Sequence, residues 1–278
     1  MKIVMTLLVR DEQDILRTNL DFHLAQGVDS FIIMDHLSSD ATPDILQEFK
    51  SAGVAEVLHQ NSPAYHQSEW VTMMARRAAT HYGADWVINN DADEFWWPTK
   101  GNLKTTLGTI SNLYGAVSVG RTNFPPMAYA NSDFLDEMVL RELFSRNSNG
   151  KPLPGKVCHV GNPRVRVSQG NHNVSGDNLD KIARTTDLEI LHFPLRSFEQ
   201  FERKIKNGGR AYQNSTGMPS SVGSTWRSLY AAYLRGELRD YYLFQCIQEE
   251  DIAAKIKDGL VVQDFRLRDY MKSLNSGI

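Results

Sequence analysis

IVMTLLV, residues 3–9, is apolar along its whole length except for Thr6, so it reads as a strand buried on both faces rather than one that alternates inward and outward. A helix-spaced segment follows over residues 12–26, with Ile15, Leu16, Leu20, Phe22, His23 and Leu24 on the pattern and Gly27 to end it. The alternation then repeats. Residues 28–34 read as a second strand, Thr42 as an N-cap with Pro43 at the first helical position of a helix over 44–50, and residues 53–58 as a third strand. Residues 67–82 read as a helix and 85–89 as a fourth strand. Short βα units of this kind predict an α/β fold with a doubly wound, mostly parallel sheet. Ligands of such sheets bind beyond the carboxyl ends of the strands, where Arg10, Asp35 and Asp91 are expected to meet.

The fourth strand runs into WVINNDADEFWWP, residues 86–98, where Asp91, Asp93 and Glu94 place three carboxylates in four residues before Pro98 stops the strand. Carboxylates this dense are costly to bury unless something neutralises them. A hard divalent cation with oxygen ligands does so, and it can hold a pyrophosphate at the same time. The other reading is an acidic turn that caps the next helix.

Beyond Pro98, residues 102–113 read as a helix, 116–121 as a strand and 188–192 as one more strand. Residues 124–178 are broken by Pro125, Pro126, Pro152, Pro154 and Pro163 and are expected to be irregular. Ser197 and Gln200 form a capping-box pattern for a helix that Gly208-Gly209 should stop near Lys206. Residues 214–224 are rich in Gly, Ser and Thr and read as a linker, and the chain from Trp226 onward reads as helical.

The 278 residues, 41% hydrophobic and 23% charged, suffice for one large domain or somewhat more, and a net charge of −3 gives no support to a nucleic-acid surface. Cys158 and Cys246 form no CxxC pair, which points to reduced thiols and a cytoplasmic setting rather than a disulfide framework or thiolate zinc site. The opening apolar run is too short for a signal segment, and no eighteen apolar residues run together to span a membrane. The sequons at Asn173 and Asn214 are read as chance matches.

Taken in order, Arg10-Asp11-Glu12, then Met34 through Asp40, then Trp86 through Phe95 with its DxD, then Gly170-Asn171-His172 and Leu191 through Ser197 followed by Phe201 and Lys204, resemble a GT-A fold glycosyltransferase. More narrowly, they resemble the glycosyltransferase family 2-like group related to family 92. The resemblance covers roughly residues 1–210. It implies a glycosyltransferase domain over 1–212, with a nucleotide-sugar-binding half at 1–98 and an acceptor and metal-completing half at 99–212, followed by a linker and helical extension at 213–278. It also implies a metal-dependent inverting transfer from a nucleotide sugar, UDP-linked, to a glycan or lipid-linked acceptor.

Carried onto these residues, the resemblance implies that Asp91 touches donor hydroxyls and that Asp93 coordinates Mn²⁺ or Mg²⁺. Glu94 either assists or makes a salt bridge into the surrounding shell, and the latter is preferred. His192 is either a further metal ligand, which favours manganese, or a hydrogen-bonded core histidine. His172 is either a donor-phosphate contact or a plain loop residue. Asp35 would lie near the base and Glu12 near the ribose, with Thr6 and Arg10 lining the same pocket, while Asp40 organises a turn. One of Arg76 and Arg77, taken as Arg77, would point to the nucleotide. Lys204, and Lys156 in the proline-rich loop, are candidate diphosphate partners. The inverting base is one of Asp133, Asp136, Glu137 and Asp177, with Glu137 chosen. Trp96 and Trp97 either stack on a sugar or pack in the core. The tyrosine-rich C-terminal helices either dock on a membrane surface or simply pack on each other.

A dinucleotide-dependent oxidoreductase and a sugar nucleotidyltransferase are both disfavoured, because the turn after the first strand, Val9 through Asp14, is acidic and has no glycine-rich phosphate loop. The remaining alternative is a non-catalytic nucleotide- or carbohydrate-binding protein derived from such an enzyme.

Overall fold

The computed structural model describes residues 1–128, 133–147, 150–214 and 223–276. In chain order the elements are β1 (Ile3–Val9), α1 (Leu16–Ala25), β2 (Ser30–Asp35), α2 (Thr42–Ser51), β3 (Ala55–His59), α3 (Gln67–Tyr82), β4 (Trp86–Asn90), β5 (Glu94–Pro98) and α4 (Leu103–Gly108). There follow β6 (Ala116–Val119), β7 (Arg121–Asn123), α5 (Phe134–Glu137), β8 (Leu140–Glu142), β9 (Lys156–Val160), β10 (Arg166–Val167), β11 (Val174–Ser175), β12 (Ile182–Arg184) and β13 (Leu188–His192). The chain ends in α6 (Phe198–Asn214), α7 (Ser224–Leu234), α8 (Leu238–Gln245), α9 (Ile252–Lys257), β14 (Val261–Gln263) and α10 (Arg266–Asn275).

Two compact units emerge. The first comprises Met1–Ser62, His66–Arg121 and Pro154–Leu191, and the second Pro63–Tyr65, Thr122–Leu153 and His192–Ile278. The boundary expected near residue 212 falls inside the second unit, which gathers 122–153 together with everything after Leu191.

The first unit holds a seven-stranded sheet in the order β12-β6-β9-β4-β1-β2-β3. Pairs β1–β2, β1–β4, β2–β3 and β6–β12 are parallel, and only β9 runs against its neighbours β4 and β6. The expected doubly wound, mostly parallel sheet is therefore present. β1 is central and buried as its apolar run requires. The chain winds from β1 outward to β3, then returns through α3 to β4 on the other side of β1. With right-handed crossovers, α1 and α2 cover one face and α3 the other. The strand order reverses between β1 and β4, which makes their carboxyl ends the switch point of the sheet.

Several expectations change. The proline-rich region contains β9, a full strand of the central sheet. Its prolines flank the strand rather than interrupt it, and buried Lys156 and His159 mask its apolar character in the sequence. α1 starts at Leu16 rather than residue 12, because Asp11 takes φ +55° and the Glu12 carbonyl accepts the amides of Ile15 and Leu16 in a preceding turn. Thr42 does not cap α2; its hydroxyl accepts the Glu12 amide at 2.9 Å. α4 is shorter than expected, with Asn102 supplying the cap, and the strand expected over 116–121 breaks into β6 and β7.

In the second unit, α6 runs straight through Gly208-Gly209 to Asn214. A Cβ at Gly208 would lie 2.3 Å from the Trp226 ring, and one at Gly209 would lie 2.3 Å from Tyr230. These glycines are close-approach residues for α7, not helix stops. Tyr230 and Tyr242 are buried in a cluster with Phe201, Ile205, Leu238 and Cys246, so these rings serve helix packing. Both cysteines are free and buried. No helix among the described residues is long and apolar enough to cross a membrane. Most of the linker read at 214–224, with the rest of the Asn214 sequon, lies outside the described residues.

Two buried histidines of the first unit are held neutral. His23 donates from Nδ1 to the Asn19 carbonyl at 2.8 Å and accepts the Trp96 amide on Nε2 at 3.2 Å, and burial pushes its pKa down to about 3. Burial takes His159 to about 4. Both values lie below the ordinary 6.5, so the unfolded chain takes up protons first as the pH falls. Stability is therefore complete above about pH 6.5 and declines from there toward pH 4, by up to about 1.4 kcal/mol per pH unit for each imidazole. Urea melts across that window should show the decline; a midpoint that stays flat would mean the imidazoles are not buried as described.

Candidate active site

β4 ends at Asn90 and β5 begins at Glu94, so the acidic cluster sits in the turn between two strands rather than in front of a helix. The turn closes with the Glu94 amide on the Asp91 carbonyl at 3.1 Å, and Asp93 and Glu94 are buried. Its backbone is held by a buried polar network. The Asn19 side-chain amide donates to the carbonyls of Ala92 (2.9 Å) and Glu94 (2.8 Å). Asn90 donates to the Glu94 carbonyl at 3.1 Å and to Asn19 Oδ1 at 3.3 Å, and accepts Trp96 Nε1 at 2.9 Å. Trp96 is thus a core residue, wholly buried.

Two cations answer the carboxylates. Lys156, whose side chain is 1% exposed, donates to Asp91 Oδ2 and reaches Glu94 Oε1 at 3.1 Å. Arg121 donates to the same Glu94 oxygen at 2.9 Å. Glu94 therefore makes the salt bridge that the sequence favoured. Burial would lower the Lys156 pKa, but Asp91 and Glu94 outweigh it and hold the ammonium above its ordinary value. Burial holds the Glu94 carboxyl above its ordinary value. Lys156 stands on a strand, not in the loop expected for it, and its ammonium is held by carboxylates.

The loop bearing Asn171 and His172 joins this cluster. Asn171 donates from Nδ2 to Asp91 Oδ1 at 3.2 Å. α3 clamps the loop: Gln67 Oε1 accepts the Gly170 amide, and Ser68 and Thr72 bond the backbone of Val167. His172 Nδ1 lies 2.9 Å from the Gly155 carbonyl, which can only accept, so the ring proton sits on Nδ1 and Nε2 carries the lone pair. Burial, with Lys156 and Arg121 nearby, lowers its pKa.

At the neighbouring strand tops, the loops after β1 and β2 interlock. Asp11 accepts the Ser39 amide at 2.7 Å, the Asp11 amide donates to Ser38 Oγ at 3.0 Å, and the Gln13 amide to Asp40 Oδ2 at 3.2 Å. Asp40 also accepts the Thr42 amide, the turn-organising part expected of it. Arg10 Nε lies 3.9 Å from Asp11, and Asp35 is buried with His59 3.7 Å away. Burial lowers the Arg10 pKa despite Asp11 and Asp35.

The other expected residues take the following places in their own elements. Thr6 is inside the sheet, donating to Asn89 Oδ1 at 2.8 Å. Arg77 donates to Glu56 at 2.7 Å, and Arg76 to the Val165 carbonyl at 2.8 Å. Glu12 is buried in the turn ahead of α1. In the second unit, Glu137 closes α5, Lys204 lies on α6, and His192 ends β13 with Nδ1 2.8 Å from Asn123 Oδ1. Sequence reading missed Asn19, Asn90 and Arg121. The usable signal was an asparagine on the apolar face of α1, where a buried polar group needs a specific partner.

The turn suits a divalent ion. Its donors are carboxylate oxygens, and Glu94 Oε2 is buried with no hydrogen-bond partner among the described residues. Removing the ammonium should leave buried charge uncompensated: Lys156→Met is expected to cost roughly 3 kcal/mol or more in denaturant melts, with Glu94→Gln in the same chain recovering part of it. A Lys156→Met protein as stable as the parent would refute this pairing.

No family model matches the chain, and no curated protein does. Among solved structures it is similar to S. aureus TarS 1-349 in complex with UDP, at 12% identity and TM-score 0.46 over 90% of this chain and 77% of that one. The complex of TarS 1-349 with UDP-GlcNAc gives 11% and 0.45 over the same shares. It is also similar to glucosyl-3-phosphoglycerate synthase from Mycobacterium tuberculosis in complex with Mg²⁺ and UDP, at 19% and 0.31 over 43% of each chain.

Proposed function

We propose that this chain is a metal-dependent, inverting glycosyltransferase that moves a sugar from a nucleotide-sugar donor, UDP-linked, to a glycan or lipid-linked acceptor. The observation that carries the reading is the buried carboxylate turn at the carboxyl end of β4, beside the switch point of a doubly wound sheet. The order of sequence motifs around that turn supports it.

On this reading Asp93 is the chain's principal ligand for Mn²⁺ or Mg²⁺, and the resemblance adds His192. The Asn123 bond supports that role for His192, since it keeps the proton on Nδ1 and the lone pair on Nε2. A bound divalent ion supplies Lewis-acid assistance, offsetting charge on the departing diphosphate. Asp91, oriented by Lys156 and Asn171, presents its carboxylate to donor hydroxyls. Arg10, Glu12 and Asp35 surround the nucleoside at the tops of β1 and β2, and Lys204 assists the diphosphate. In the transfer, the acceptor oxygen forms a bond to the anomeric carbon as the bond from that carbon to the phosphate oxygen breaks. Glu137 takes the acceptor hydroxyl proton.

Calorimetry with UDP, with and without Mn²⁺, followed by a screen of nucleotide sugars for release of free nucleotide, tests the whole. Metal-dependent binding with turnover supports a transferase; binding with no turnover of any donor identifies a binding protein instead. Asp93→Ala should abolish metal-dependent UDP binding in a protein that still unfolds cooperatively, and His192→Ala should weaken Mn²⁺ affinity about 10-fold or more. Parent-like binding by Asp93→Ala would remove that residue from the metal site.

A further inference from the structure

We infer that Asn19 and Asn90 are positioning residues that fix the backbone on either side of Asp93 before any ligand arrives. The metal-binding part of this rests on the proposed function; the positioning itself does not.

Asn19 lies in the middle of α1, buried among Leu16, Leu20 and Phe22. Asparagine is a poorer helix former than alanine and competes for backbone bonds, so nothing about the helix calls for it there. Burying its amide is costly unless both N–H groups are satisfied. They are, and both go to the carboxylate turn: one to Ala92 and one to Glu94, the residues flanking Asp93. Asn90 adds a third amide bond, again to the Glu94 carbonyl, and joins its second N–H to Asn19 Oδ1.

The remaining atoms close a ring. Trp96 Nε1 donates to Asn90 Oδ1, the Trp96 amide donates to His23 Nε2, and His23 Nδ1 donates to the Asn19 carbonyl. Each side-chain N–H of the two asparagines is used, and Asn19, Asn90, His23 and Trp96 are all buried. A closed network of this kind has one arrangement that satisfies every member, so it specifies a geometry rather than merely adding stability. Here the geometry specified is the path of residues 91–94. The direction of the Asp93 carboxylate is therefore set by an α1 side chain that touches no carboxylate itself.

The test compares Asn19→Ala with Leu20→Ala, an equally buried neighbour on the same helix whose loss creates a cavity but removes no bond to the turn. Amide hydrogen exchange over residues 91–96 is measured first, on the full chain without added metal. UDP affinity is then measured with and without Mn²⁺. Asn19→Ala should exchange in that segment on the order of 10-fold faster than Leu20→Ala and bind Mn²⁺-dependent UDP about 10- to 100-fold more weakly than the parent. Leu20→Ala should lower the unfolding midpoint and change neither. Equal exchange in the two variants would overturn the positioning, and faster exchange with parent-like affinity would overturn its bearing on metal-dependent binding. Should Asn19→Ala not fold, Asn90→Ala, which removes one of the three amide bonds to the turn, serves the same comparison. If the parent binds no UDP with Mn²⁺, the proposed function fails, while the exchange comparison still decides whether the asparagines hold the turn.

Discussion

Everything at the carboxyl end of β4 depends on neutralising carboxylates out of water. Glu94 is wholly buried, and an ionised carboxylate there is tolerable only with cations and hydrogen bonds against it. Arg121 and Lys156 meet that need, and Lys156 can do so because of β9. The register of this antiparallel strand pairs Trp86 with Val160 and Ile88 with Cys158; continued by two residues, it sets Lys156 level with Asn90, at the entrance to the turn. The one antiparallel strand in an otherwise parallel set is thus the element that brings an internal cation to the acidic cluster.

The same end of the sheet is stiffened at its other strand tops. Asp11, Ser38, Ser39, Asp40 and Thr42 exchange bonds across the loops after β1 and β2, and α3 grips the loop that carries Asn171 and His172. Loops are usually the most mobile part of an α/β domain, and here they are held by side-chain to backbone bonds. Geometry built this way is organised in advance, which is what precise recognition of a ligand requires.

Legibility in the sequence followed the strength of local patterns. β1, α3 and β13 were readable to the residue, since each is set by apolar periodicity and clear breakers. Lys156 was misread because a lysine between prolines ordinarily means a surface loop, and nothing local reveals a carboxylate more than sixty positions earlier. Gly208 and Gly209 were misread because a glycine pair stops a helix unless another helix must come close, which is a tertiary fact. Arg121 and Asn19 were overlooked for the same reason: their partners lie far along the chain. The acidic turn itself was legible, because charge density at a strand end is a local signal. What held it in place was not.

The charge of that turn also limits what it can recognise. Asp91 and Glu94 are met by Lys156 and Arg121, and burial holds the Glu94 carboxyl above its ordinary value. Of the arginines of the first unit, Arg77 is held by Glu56 and Arg76 by the Val165 carbonyl. On the proposed function, a divalent cation held by the turn would add attraction for a nucleoside diphosphate. A hard dication prefers carboxylate oxygens and carries the charge opposite to theirs, which is why the proposal gives that part to Mn²⁺ or Mg²⁺.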